Sequence, residues 1–123
     1  MRAYVTRESV CAADDVNAPH AAQIQVPDDW TWDTLIHHVW EGSRLPSIAG
    51  GKASWALSSN IPLAVFAQEW REPVVLFRLD SERERLDSSG QGIRLHWSYF
   101  AQLDPALVLE VLRELRLRSD SSH

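Results

Sequence analysis

Three features of this chain predict an α+β fold with a mixed or antiparallel sheet and two helices. Two segments repeat apolar residues at the 3.6-residue period of a helix, and six shorter ones alternate or run apolar as strands do. The two kinds are interleaved along the chain, in the order β-β-α-β-β-β-β-α.

Ala3-Tyr4-Val5-Thr6, β-branched and aromatic, reads as the first strand. Val10 to Pro19 holds Asp14-Asp15, Asn17 and Pro19, the composition of a wide loop. Gln23-Ile24-Gln25-Val26 alternates polar and apolar as a half-buried strand, and Pro27-Asp28-Asp29 ends it. Trp32, Leu35, Ile36, Val39 and Trp40 fall at i, i+3, i+4, i+7 and i+8, one face of a helix over about residues 32–41. Thr31 is the predicted N-cap, Trp30 a staple onto Leu35, Asp33 a favourable charge in the first turn and Gly42 the stop.

Leu45 to Gly51 reads as a connection, and Ala53 to Leu57 as a strand. Leu63 to Ala67 is a continuous apolar run fit for a strand covered on both faces, and Val74 to Leu79 is another apolar strand. Asp80 to Gly92, with its Glu-Arg alternation and Ser-Ser-Gly-Gln-Gly, is expected as an exposed, mobile loop. Ile93 to Tyr99 alternates and makes the last strand. Asp104 caps the second predicted helix, Pro105 sits at its first position, and Leu107, Val108, Val111, Leu112 and Leu115 form its apolar stripe. Residues 119–123 are expected to fray, and residues 1–123 to form a single domain. In residues 3–67, two strands leading into a helix and further strands resemble the β-grasp order of ubiquitin-like proteins.

Charge is unevenly spread. From Glu8 to Ser43 there are seven acids (Glu8, Asp14, Asp15, Asp28, Asp29, Asp33, Glu41) and no Lys or Arg, so the net charge of −5 comes from the first third. This asymmetry argues against nucleic acid and anionic membrane as partners of that region and favours a basic one, the alternative being a solvated acidic surface that only aids solubility. No apolar run approaches the roughly 18 residues of a membrane helix, and no apolar stretch of a secretory leader precedes the first acids. Cys11 is the only cysteine, so no disulfide forms within the chain, and a reducing, cytoplasmic setting is expected.

The motifs that point to chemistry are weak. Adjacent His37 and His38 lie about 100° apart on a helix and lack the i, i+4 spacing of a zinc-binding helix. Cys11, Asp14, Asp15 and His20 fall within ten residues, a loop suited to a divalent ion or a thiolate, yet without paired metal-ligand spacing. Gly50-Gly51-Lys52-Ala53 lacks the leading Gly and the Ser or Thr of a phosphate loop. Serine-nucleophile chemistry has no support, because no elbow motif surrounds Ser54, Ser58, Ser59 or Ser98. Of the six tryptophans, Trp32, Trp40, Trp55 and Trp97 fit the core, whereas Trp30 and Trp70 stand at element ends and are candidates for interface anchors or for half-buried core-edge residues.

In size, acidity, α+β order and tryptophan content the chain resembles small acidic immunity proteins of bacterial polymorphic and contact-dependent toxin systems. The stretches Leu45-Pro46-Ser47-Ile48-Ala49-Gly50-Gly51-Lys52-Ala53-Ser54-Trp55 and Ile61-Pro62-Leu63-Ala64-Val65 are similar to small bacterial proteins and carry no known catalytic role. The resemblance implies a non-catalytic protein that neutralises a basic toxin domain, for instance a nuclease, without cofactor or metal. The expected partner-binding residues are Asp14, Asp15, Asp28, Asp29, Trp30 and Asp33. Two other readings stay open: a small metal-dependent enzyme built on Asp14, Asp15 and His20, or on His37 and His38, and a ubiquitin-like adaptor that binds along a sheet edge.

Overall fold

The structure is a computed structural model and describes residues 1–8, 21–43, 45, 53–76, 80–100 and 104–121. The elements are β1 (Arg2–Arg7), β2 (Ala21–Gln25), α1 (Trp32–Ser43), β3 (Ser54–Ser59), β4 (Ile61–Ala67), β5 (Val74–Val75), a 3₁₀ turn (Asp80–Arg85), β6 (Ser88–Ser89), β7 (Gly92–Tyr99) and α2 (Pro105–Ser121). They form the α+β fold expected, with one mixed sheet in the order β2-β1-β7-β3-β4-β5 and β6 paired to β7. β1 runs antiparallel to β2 but parallel to β7, with Thr6 opposite His96. The β1–β2 pair, the crossing helix and the return of β7 beside β1 give the β-grasp-like layout.

α1 begins where the sequence places it. Thr31 Oγ1 accepts the Thr34 N–H at 3.2 Å, and Thr34 Oγ1 accepts the Thr31 N–H at 2.8 Å, a reciprocal cap with Thr in the place usually held by Glu. Trp32, Leu35, Ile36 and Val39 are buried against one face of the sheet, each worth about 1.5–3 kcal/mol relative to exposure. Buried Trp97 donates its indole N–H to Ser43 Oγ at 2.9 Å, and Ser43 in turn donates to the Val39 carbonyl. This chain ties the end of α1 to the middle of the sheet. The helix runs past Gly42 to Ser43, so Gly42 is no stop. A Cβ there would lie 2.7 Å from Ile24 Cδ1, and the glycine lets α1 approach β2 closely.

The second helix covers the opposite face. Val65 belongs with Leu76 and Val108 in a second apolar cluster, whereas its neighbours Ala64 and Phe66 face the α1 side, as strand alternation requires. Asp104 caps α2 through the Ala106 N–H at 3.0 Å. The predicted stripe divides: Val108 and Leu112 pack on the sheet, joined by Leu109 from outside the stripe, while Leu107, Val111 and Leu115 are about half exposed, at 53, 48 and 52%.

Several expectations are corrected. Asp80 to Gly92 is not a plain loop, because it holds the 3₁₀ turn and the short β6, which pairs Ser88 with Ile93 and Ser89 with Gly92. The strand expected over 74–79 is only Val74–Val75, followed by a Leu76 N–H bond to the Leu63 carbonyl at 2.9 Å. Residues 77–79 lie outside the described set. α2 extends to Ser121, three residues into the stretch expected to fray.

Candidate functional site

Of the six residues expected to bind a partner, Asp14 and Asp15 lie outside the described residues, as do Cys11 and His20 of the alternative metal loop. The other four surround the entry to α1. Asp28 and Asp29 are exposed in the turn after β2, and Asp33 is exposed in the first helical turn. The reason for this gathering is local. β2 ends at Gln25 ahead of Pro27, the turn needs short polar side chains, and the helix N-terminus favours an acid. Asp28 accepts a hydrogen bond from the Met1 amine at 2.7 Å. That bond and the positive charge behind it hold the Asp28 carboxyl below its usual range.

Trp30 sits differently from its sister residues. It is buried, at 8% exposure, and packs edge-on against Trp32 with ring centroids 5.3 Å apart. The Arg83 guanidinium lies 3.9 Å from the Trp30 ring centroid and donates to the Trp30 carbonyl at 3.0 Å. The indole therefore already has a partner, and a role as anchor would require Arg83 to lift away. Trp70 is half-buried in the cluster under α2. The Trp32 indole N–H is buried and has no partner among the described residues.

His37 and His38 do not converge on one point. The His37 Nδ1–H donates to the Asp33 carbonyl and the His38 Nδ1–H to the Thr34 carbonyl, both at 2.8 Å. His37 Nε2 lies 3.3 Å from Glu72. Among the described residues no three of His, Cys, Asp and Glu form a metal-binding group.

The His37 pKa is raised above its ordinary 6.5, first by the Asp33 carbonyl and then by Glu72, against a lowering by partial burial. The folded state thus holds the proton more tightly than the unfolded chain. The associated stability is complete below about pH 6.5 and is lost as pH rises through the folded value. In thermal melts between about pH 5.5 and about pH 8.5, the wild type should lose its advantage over His37→Gln as pH rises. Glu72→Gln should show a smaller loss, because the Asp33 carbonyl remains. A gap that does not change with pH would remove His37 as the source.

Sequence reasoning missed a second polar arrangement. On the sheet face that α2 leaves open, Tyr4, Thr6, Ser58, Asn60, Asp87 and His96 border an open concavity of about 360 Å³. Thr6 Oγ1 and His96 Nδ1 share a hydrogen bond of 2.7 Å, His96 Nε2 lies 3.9 Å from Glu8, and Arg94 pairs with Asp87 at 3.3 Å. Thr6 and His96 are 90 positions apart, and only the parallel β1–β7 register brings them opposite each other.

No family model, curated protein or solved structure matches the chain. The functional reading therefore rests on geometry and charge. No helix among the described residues is long and apolar enough to cross a membrane.

Proposed function

We propose that the protein is a non-catalytic bacterial binding protein of the immunity type, which captures a basic toxin domain through its acidic edge. One observation carries this reading. Asp28, Asp29 and Asp33 are exposed together around the entry to α1, in a stretch from residue 21 to 43 that has four acids and no Lys or Arg. A predominantly acidic edge steers a basic partner and speeds its docking, most strongly at low salt. Trp30 supports the edge from within, clamped by Arg83 and Trp32.

The test is association kinetics at two ionic strengths against the product of the adjacent gene. Changing Asp28, Asp29 and Asp33 together to Asn should slow association by roughly tenfold at low salt and flatten its salt dependence. Changing Glu69 and Glu110 to Gln, both exposed and outside this acidic stretch, should leave the rate within about twofold. Equal effects of the two sets would mean that net charge, not this edge, governs the encounter.

A further inference from the structure

The two ends of the sheet are unlike. β5 closes one end with two residues, too short to template another strand, whereas β2 presents a full five-residue edge at the other. Natural edges are guarded by charge, proline or a bulge. β2 reads Ala-Ala-Gln-Ile-Gln, without charge or proline, and pairs with β1 in unbroken register.

The outward backbone groups follow from one pair. The Val26 N–H donates to the Met1 carbonyl at 2.8 Å, and the Met1 amine donates to the Val26 carbonyl at 2.9 Å. In an antiparallel ladder such hydrogen-bonded pairs recur every second residue, so Ile24 and Ala22 bond toward β1. The N–H and C=O groups of Ala21, Gln23 and Gln25 then point away from β1, where no described strand stands. The side chains of these three residues are exposed, and those of Ala22 and Ile24 are half-buried.

The geometry points to β2 as a strand-addition site whose occupant is an extended, cationic segment of a protein partner. Main-chain bonding at Ala21, Gln23 and Gln25 supplies pairing, and the surrounding charge selects the strand. Asp28 and Asp29 lie just beyond β2, Glu8 follows β1, and Asp33 and Glu41 lie on the helix packed behind it, five acids that outnumber Arg2 and Arg7 at the ends of β1. A second copy would bring this acidic region against itself, so complementarity favours a basic strand over self-pairing. This inference rests on the basic-partner reading above and adds the mode of recognition.

The probe is a peptide of about eight residues alternating Lys and Val, with a Glu/Val counterpart, followed by amide NMR exchange on the full chain. The Lys/Val peptide should slow exchange at Ala21, Gln23 and Gln25, and the Glu/Val peptide should not. Gln23→Pro removes an outward N–H without touching the β1 ladder, so it should keep the melting curve and weaken binding by roughly tenfold or more. Gln23→Ala keeps the N–H and should bind as wild type. Gln23→Lys leaves the backbone unchanged and should weaken the Lys/Val peptide by charge alone, which serves if the proline variant fails to fold.

Binding of the Lys/Val peptide with protection elsewhere, indifferent to Gln23→Pro, overturns strand addition and leaves the basic-partner reading standing. Equal protection by both peptides overturns the cationic specificity and the basic-partner reading with it. No protection by either peptide, or a dimer that Gln23→Pro dissociates, overturns the proposal.

Discussion

Ile36→Asp is expected to leave the protein unfolded at room temperature. Ile36 is 0% exposed and lies on α1 between Trp32 and Val39, facing the core that also holds Leu35 and Trp97. Losing the aliphatic side chain costs about 2–5 kcal/mol, and a buried carboxylate without a partner adds several more unless it takes up a proton. Against a total stability of about 5–15 kcal/mol, the sum removes most or all of it. Ile36→Val should cost only about 0.5–1.5 kcal/mol and fold normally. Circular dichroism melts of the pair decide the matter. A cooperative transition for Ile36→Asp within a few degrees of Ile36→Val would mean that α1 does not pack by this face.

That prediction is legible in the sequence, because α1 is specified locally. Its apolar spacing, its Thr31 cap and its terminal acid all lie within a dozen residues and agree with one another. β1, β2, β4 and β7 were legible for similar reasons. What escaped depends on distant chain. The Glu-Arg pattern at 82–85 reads as a solvated loop, yet Arg83 spans 53 positions to cover Trp30. Nothing local to either residue signals that contact. Gly42 looks like a helix stop until Ile24 is found against it, and the role passes from backbone freedom to close packing. The stripe on α2 reads as one face, whereas the sheet takes up Val108, Leu109 and Leu112 and leaves Leu107, Val111 and Leu115 exposed. For the acidic edge, composition was enough to find Asp28, Asp29 and Asp33. The open backbone of β2 was not visible, because which side of a strand stays unpaired is a property of the whole sheet.

Gly92→Ala should be the most damaging single-methyl addition among the described glycines. Gly92 starts β7 with φ at +142°, a region that residues with a side chain rarely adopt. A Cβ built there collides with the Arg2 carbonyl oxygen and lies 3.1 Å from the Arg2 carbonyl carbon and 3.2 Å from Tyr4 Cε2. The first obstacle is backbone in the adjoining strand, so no rotamer change relieves it. β1 and β7 form the central parallel pair, and separating them at this end also loosens the β6 hairpin that pairs Ser89 with Gly92. The conformational strain alone costs about 1–3 kcal/mol, and the displacement of β1 should bring the loss to roughly 3–5 kcal/mol. At a few degrees per kcal/mol, the melting temperature should fall by roughly 10 °C or more. Gly90, two residues earlier in the same hairpin, provides the matched control: a Cβ there meets nothing within 4 Å, so Gly90→Ala should melt close to wild type. Both variants are compared by thermal and urea unfolding. Should Gly92→Ala track Gly90→Ala within a degree or two, β7 does not approach Arg2 as closely as described, and the parallel pairing at its start has to be redrawn.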